Sequence, residues 1–354
     1  MTSKNLDARR IKTLQPAEGL FRFLDPAHAP HRFQARTRTQ ATGWQKKTRR
    51  ELARMLNSLR LPAAPFDARV IERVDKGDYV REKTLIRTSA YTSMPVYLLI
   101  PKDIKRPAPV ILAFHGHGYG VKDIVGLWED GSERDTPDGY HADFAVALCR
   151  RGFVVAAPEI SCFGERQSVF KLPPGSPVPG TCQHASALAF HLGGSVAGLR
   201  VHDARRLVDY LKERPEVNTA RLGAMGISGG GYQTFYSSCV DTRIKAAVIS
   251  GYYSTYRDSI LDMDHCNCNY IPGLHVFGEM YDLVGLIAPR PVLIEAGRQD
   301  PIFPIAAVKK SVRRAREVYR VFGSNDGVRT DYFEGRHRIN GDAAYAFLAD
   351  QLGG

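Results

Sequence analysis

Five short, uninterrupted runs of apolar residues are the clearest feature of the chain. Strands that are buried on both faces of a parallel sheet have this pattern, because neither face meets water. Helical patterns, with apolar residues three or four positions apart, alternate with the runs, most clearly over residues 201–211 and 305–322. This alternation predicts an α/β fold with a mostly parallel sheet that helices cover on both sides. The apolar runs are residues 109–115, 152–158, 221–227, 246–250 and 290–294.

A different pattern precedes the first buried run. Residues 69–74, 79–86 and 94–100 are strand-like segments separated by turn residues. We interpret them as antiparallel strands at one edge of the sheet. A final strand is expected at residues 329–333.

Residues 1–67 are expected to be an N-terminal extension of a main α/β domain formed by residues 68–354. Within the extension, an apolar stripe at helical spacing predicts one amphipathic helix that ends before Pro62. The stripe favours packing against the main domain, and a homo-oligomer formed through the extension is the alternative. The stripe consists of Trp44, Leu52, Met55, Leu56 and Leu59.

Most of the net charge of +12 lies in this extension. The first 50 residues hold 12 Lys and Arg against 3 Asp and Glu, whereas the other 304 residues hold 37 against 34. The main domain is therefore nearly neutral, and its substrate need not be acidic. No nucleic-acid-binding motif accompanies the basic residues, so a solvated basic face is favoured over a nucleic-acid partner.

Several classes of protein are not expected from the sequence. No segment reaches the roughly 20 apolar residues that span a bilayer, and the N-terminus lacks the apolar core of a secretory signal, so we expect a cytoplasmic protein without a membrane partner. Six scattered cysteines predict reduced thiols. Cys266 and Cys268 beside His265 suggest a metal, but no second cysteine pair is present, and we expect neither a metal nor a cofactor.

The third apolar run ends in a serine that is enclosed by glycines. Residues 226–230 read Gly-Ile-Ser-Gly-Gly, the Gly-x-Ser-x-Gly pattern that places a serine at a tight turn between a strand and a helix. Here a predicted strand precedes the motif, and residues 232–239 can form the helix. An ordinary loop is the alternative, but this context favours Ser228 as a nucleophile.

A serine hydroxyl needs a base to take its proton and a third group to orient that base. His337 lies in a turn after the last predicted strand, and Asp300 lies just beyond the fifth apolar run. The order serine, aspartate, histidine is the chain order expected for a catalytic triad on this kind of sheet. Rival acids are Glu295, Asp262 and Asp264, while His184, His191 and His202 are expected to be structural.

Backbone N–H groups must receive the negative charge that develops on a carbonyl oxygen during acyl transfer. One donor should be Gly229, directly after the serine. The other should come from the glycine-rich loop after the first buried run, which begins His115-Gly116-His117-Gly118. We assign it to His117, with Gly116 as the alternative.

Two long irregular segments, residues 121–140 and 167–180, follow central strands and should lie over the site. They and the segment after residue 250 supply candidate pocket residues, for which aromatic packing in the core is the alternative role. The candidates are Trp128, Cys162, Tyr252 and Tyr253.

Five motifs together resemble the dienelactone-hydrolase-related branch of the α/β-hydrolases, which includes acetyl-xylan-esterase-like proteins. The resemblance runs from about residue 68 to the C-terminus and implies an eight-stranded, mostly parallel sheet, a Ser-Asp-His triad and cleavage of small carboxylic esters. It also implies that Cys266-x-Cys268 is a family feature near the site and not a zinc knuckle. Ser228 stands where true dienelactone hydrolases have a cysteine, which argues against lactone hydrolysis of that kind. The motifs are residues 115–118, 158–166, 226–231, 266–268 and 287–291.

We therefore expect a serine esterase that cleaves a small-molecule ester through an acyl-enzyme on Ser228. One alternative is the same triad acting on an amide, a lactone or an activated carbon–carbon bond. The alternative from another class is a non-catalytic protein that has kept the fold.

Overall fold

A nine-stranded sheet forms the centre of the protein. The computed structural model describes residues 14–103, 107–172, 174–175 and 180–353. Across the sheet the strand order is β1-β2-β3-β5-β4-β6-β7-β8-β9. The strands of this part of the chain are β1 (Arg69–Asp75), β2 (Tyr79–Arg87), β3 (Ser93–Pro101), β4 (Ala108–Phe114), β5 (Val154–Pro158), β6 (Val217–Ile227), β7 (Ala246–Ser250), β8 (Val292–Gly297) and β9 (Val328–Phe333).

The sheet is antiparallel on one side and parallel over the rest. β1, β2, β3 and β5 pair antiparallel in that order, whereas β5, β4, β6, β7, β8 and β9 run parallel. Both predicted patterns are confirmed. The segment patterns predict every strand of this sheet, including the edge strand β1, whose side chains are mostly exposed. The eight strands that the family resemblance implies are therefore one too few.

Helices cover both faces of the sheet. α3 and α9 share a buried cluster with one set of alternating strand residues, and α5, α6 and α8 pack on the opposite set. No helix of the described residues is long and apolar enough to cross a membrane. The helices are α1 (Pro16–Phe23), α2 (Arg38–Leu56), α3 (Phe144–Cys149), α4 (Thr181–His191), α5 (Val196–Leu211), α6 (Gly229–Val240), α7 (Met280–Leu283), α8 (Ile305–Val321) and α9 (Asp342–Leu352).

The N-terminal extension shares its core with the main domain. α2 begins with a capping box, in which Thr37 and Gln40 each accept a backbone hydrogen bond from the other. Leu52 and Leu56 are buried beside α5 and α6, and Arg49 donates to two backbone carbonyls of the main domain. The predicted stripe therefore packs within its own chain, while oligomerisation through the extension stays a prediction. Residues 1–13 of the extension lie outside the described residues.

Candidate active site

Ser228 occupies a sharp turn where β6 passes into α6. Its backbone has φ +56° and ψ −119°, a conformation that residues with side chains rarely adopt. Its N–H donates to the Ser250 carbonyl at 3.0 Å, which ties the turn to the end of β7. A Cβ on Gly230 would lie 1.8 Å from the Phe114 carbonyl oxygen, so glycine is needed where β4 approaches the turn. The motif thus has the strand-turn-helix context that the sequence predicts.

His337 and Asp300 meet at the carboxyl ends of β8 and β9. His337 Nδ1 lies 2.7 Å from Asp300 Oδ2, and the Asp300 side chain is buried. The other carboxylate oxygen, Oδ1, accepts the N–H groups of Ile302 at 2.8 Å and Phe303 at 3.2 Å. Because Nδ1 faces a carboxylate, it carries the ring proton, and Nε2 is the nitrogen that can accept one. Nε2 is buried and has no hydrogen-bond partner among the described residues.

The three rival acids take other positions. Glu295 is fully buried and accepts from Ser250 Oγ at 2.7 Å and from the N–H groups of Asn340 and Gly341, so it joins β7 and β8 to the loop after His337. Burial raises the pKa of this carboxyl. Asp262 and Asp264 are exposed. In the described part of the chain, the carboxylate that contacts His337 is that of Asp300.

Two residues beside the turn, Gly229 and His117, have backbone N–H groups that could receive a developing negative charge. The position of a Cβ on Gly229 lies 3.2 Å from His117 Nδ1, which places the glycine-rich loop directly beside the start of α6. Among the described residues, neither the Gly229 nor the His117 N–H has an acceptor. The Gly116 N–H, by contrast, donates to His141 Nε2 at 2.8 Å. The alternative donor Gly116 is therefore already occupied, whereas Gly229 and His117 are available.

Buried side chains hold the glycine-rich loop in place. Because His141 accepts the Gly116 N–H at Nε2, its proton is on Nδ1, which lies 3.3 Å from Asp123 Oδ2. Burial lowers the pKa of His141, which favours this neutral form. The Tyr140 hydroxyl donates to the His117 carbonyl at 2.5 Å. His115 is fully buried, contacts the Gly116 carbonyl through Nδ1 and accepts the Ile160 N–H.

A cavity of about 280 Å³ lies above Ser228. The phenyl ring of Phe303 stacks on the His337 imidazole at 5.9 Å between ring centroids, and the centroid of the Tyr140 ring lies 5.5 Å from that of the same imidazole. Tyr140 and His265 lie in irregular segments that the sequence predicts to border the site, but no pattern distinguishes these two side chains from their neighbours. Phe303 lies in the loop after β8, where no pocket residue is predicted. The lining residues are His117, Tyr140, Ser228, Gly229, Tyr252, His265, Cys266, Asn269, Ile302, Phe303 and His337.

Of the four predicted pocket residues, Tyr252 lines this cavity and the other three do not. Trp128 is 42% exposed and packs on the Arg134 guanidinium, because the loop that carries it turns outward. Cys162 lines a separate cavity, and Tyr253 is buried in the core against Phe235. The prediction for Trp128, Cys162 and Tyr253 is thus corrected. Residues 173 and 176–179 of the second predicted loop lie outside the described residues.

A cysteine cluster, formed by His117, Cys182, Cys266 and Cys268, borders the cavity, because His117 and Cys266 are among its lining residues. One imidazole nitrogen and three sulfur atoms lie within 4.8 Å of one another. Cys268 Sγ is 3.3 Å from Cys266 Sγ and 3.6 Å from His117 Nε2. The three cysteines form no disulfide bond. The sequence shows no second cysteine pair, and the cluster is completed instead by residues from two distant segments.

Several solved structures have the same fold. A structure of "a putative acetyl xylan esterase" from Bacteroides fragilis superposes with a TM-score of 0.74 at 18% identity, covering 90% of this chain and 82% of that one. A glucuronoyl esterase from Solibacter usitatus gives a TM-score of 0.63 at 18% identity, covering 88% and 94%. These similarities establish the α/β-hydrolase fold.

The sequence also matches known proteins over most of its length. A protein of Bacillus subtilis (strain 168) named "Putative hydrolase YtaP" is 27% identical over 289 residues, which are 78% of this chain and 89% of that protein. The family model described as the Abhydrolase family matches residues 1–334, so the match includes the extension that the motif resemblance left out. From its sheet order, its serine turn and this match, the chain belongs to the Abhydrolase family.

Proposed function

We propose that the protein is a serine hydrolase of carboxylic esters that works through an acyl-enzyme. The proposal depends most on His337, whose Nδ1 contacts Asp300 while its buried Nε2 has no partner among the described residues and shares a cavity with Ser228. A base that is oriented on one side and free on the other is what a serine nucleophile requires.

The geometry supports the following sequence of steps. As Ser228 Oγ attacks the ester carbonyl carbon, His337 Nε2 takes the hydroxyl proton, and Asp300 stabilises the imidazolium. The N–H groups of Gly229 and His117 receive the negative charge on the carbonyl oxygen. Nε2 then gives the proton to the departing alcohol oxygen as the carbon–oxygen bond breaks. Finally Nε2 takes a proton from water, the hydroxide attacks the acyl-enzyme, and Ser228 recovers its proton as the acid leaves.

The cavity supports a small acyl group. Its volume of about 280 Å³ and its walls of Tyr252, Ile302 and Phe303 leave room for a short chain beside the serine. The structure with the higher TM-score above is named a putative acetyl xylan esterase, and an acetyl xylan ester joins a short acid to a sugar hydroxyl. In the ester that a glucuronoyl esterase is named for, the sugar is the acid part, which a small acyl cavity favours less. An ester of a short acid with a sugar-like alcohol is therefore the substrate class that we propose.

Replacing the nucleophile tests this function. Ser228→Ala should lower kcat for p-nitrophenyl acetate by at least about 10³-fold, since the remaining groups catalyse only weakly without the nucleophile. Ser237→Ala is a matched control, because Ser237 lies in the same helix α6 and its buried hydroxyl has no partner among the described residues. The control should keep full activity. Undiminished turnover by Ser228→Ala would refute the proposed function.

A further inference from the structure

The cysteine cluster offers a complete set of ligands for one metal ion. A zinc–sulfur bond of about 2.3 Å places two sulfur atoms of a tetrahedral site roughly 3.8 Å apart. The Cys266 and Cys268 sulfur atoms are 3.3 Å apart, Cys268 Sγ is 3.6 Å from His117 Nε2, and all four ligand atoms lie within 4.8 Å of one another. Small adjustments of side-chain torsions would therefore suffice to enclose an ion.

Separate elements of the fold hold these ligands in position. His117 follows β4, and Cys182 is in the first turn of α4. Cys266 precedes the short helical turn Asn267–Asn269, and Cys268 lies within it. The Tyr232 hydroxyl donates to the Cys268 carbonyl at 2.9 Å, and the His117 ring packs edge-on against Phe163 at 5.0 Å. Since both backbone and ring are fixed by buried neighbours, the ligands are arranged before any ion arrives.

A buried arginine beside the cluster supplies an independent argument. Arg200 is 1% exposed, and its described hydrogen bonds go to the Ser161 carbonyl and to Cys182 Sγ, at 3.2 and 3.7 Å, and none to a carboxylate. Its Nε and Nη1 have no partner among the described residues. A buried cation needs a nearby negative charge, because burial removes its hydration.

A metal-thiolate complex would provide that charge. Three thiolates and one neutral imidazole around a divalent ion carry one net negative charge, which the guanidinium of Arg200 balances. Binding would release the three thiol protons to solvent and involve no change of oxidation state. Thiolates with one imidazole select zinc over calcium or magnesium, which prefer oxygen ligands.

We propose that His117, Cys182, Cys266 and Cys268 bind one structural Zn²⁺. Four protein ligands close a tetrahedral site, so the ion has no open position for water or substrate and takes no part in bond making. Its effect would be on His117, whose side chain binds the ion while its backbone N–H faces the serine turn. The effect of the ion on His117 as an oxyanion donor rests on the proposed function, whereas metal binding itself does not.

Metal content of the full-length protein tests the proposal without reference to activity. Protein purified under reducing conditions and exchanged into buffer with excess Zn²⁺, then desalted, should retain about one zinc per chain by elemental mass spectrometry. The double variant Cys266→Ser/Cys268→Ser should retain less than about a tenth of that amount, because it lacks two ligands. Cys149→Ala is the matched control, since this buried cysteine belongs to a different hydrophobic cluster, and it should keep its zinc.

Cobalt provides a second measurement on the wild-type chain, in case the double variant does not fold. Co²⁺ added to the metal-free protein should give the intense visible bands of a tetrahedral site and a sulfur-to-cobalt charge-transfer band. Added Zn²⁺ should then abolish both. A weak octahedral spectrum, zinc-saturated samples that retain no metal, or a Cys266–Cys268 disulfide in place of the ion would each overturn the proposal.

Discussion

The two sides of the cavity above Ser228 are built in different ways. On the relay side, consisting of Asp300 and His337, two loops at the ends of the adjacent strands β8 and β9 bring one carboxylate to one imidazole. The cysteine cluster on the other side draws its four residues from three segments that are far apart in the chain. The relay side therefore follows from strand order, and the cysteine cluster follows from the packing of loops.

The relay side and the cysteine cluster also differ in the contacts that their polar atoms make. On the relay side, Nε2 of His337 has no partner among the described residues, and the His337 side chain lines the cavity together with Ser228, so this nitrogen is available for proton transfer. In the cysteine cluster the four ligand atoms lie within 4.8 Å of one another. We therefore expect the relay side to perform the chemistry and the cysteine cluster to fix the shape of the site.

The largest effect is expected on the relay side. Asp300→Asn should lower kcat by about 10³- to 10⁴-fold, because an amide no longer stabilises the proton on Nδ1 of His337 or the imidazolium. Glu295→Gln is the matched control, since Glu295 is also buried at the end of β8 but contacts Ser250 and two backbone N–H groups. It should lower the melting temperature while kcat changes only a few-fold. Equal loss of kcat in the two variants would remove the distinction between these carboxylates.

Metal removal should have the next largest effect. If zinc holds His117, chelation should lower kcat by up to about 10²- to 10³-fold, the effect of losing one oxyanion donor, with little change in KM. Restoring Zn²⁺ should restore kcat. A rise in KM alone would show that the ion shapes substrate binding and does not position the donor.

A smaller effect is expected where the two sides meet. Tyr140→Phe removes the hydroxyl that donates to the His117 carbonyl and should lower kcat about tenfold, which corresponds to one lost hydrogen bond. Trp128→Phe is the control, because Trp128 does not line the cavity and should be replaceable without effect. Kinetics on the same ester with both variants would measure the difference.

The smallest effect concerns acid stability of the glycine-rich loop. The pKa of His141 is lowered from 6.5 by burial, so the unfolded chain binds the proton more tightly than the folded one. His141 should therefore contribute full stability above pH 6.5, and this contribution should decline as the pH falls through the lowered folded-state pKa. In urea unfolding, wild type should lose up to about 1.4 kcal/mol per pH unit more than His141→Gln on acidification.

The exposed His191 gives the control for this experiment, and His191→Gln should keep the wild-type pH dependence. If His141→Gln and wild type lose stability in parallel, His141 does not carry the acid sensitivity. The neutral acceptor role of its Nε2 toward Gly116 would then lack support.

The fold and the residues of the relay side can be predicted from the sequence, and the reason is physical. Uninterrupted apolar runs indicate buried parallel strands. Residues that follow the carboxyl ends of such strands lie at the same end of the sheet, as Ser228, Asp300 and His337 do. Tyr140 and Cys182 cannot be located in this way, because Tyr140 lies in a loop and Cys182 lies in a helix, and neither directly follows a strand of the sheet. Trp128 and Tyr253 were misplaced since an aromatic side chain in such a segment can turn outward or into the core.

The central claim is that Ser228 is a nucleophile activated by His337, and covalent labelling tests it most directly. A fluorophosphonate probe that reacts with activated serines should give one adduct per chain, which peptide mass spectrometry should locate on Ser228. His337→Ala should remain unlabelled on the same time scale, because its serine has no base. An adduct on another residue, or equal labelling of the wild type and His337→Ala, would contradict the account.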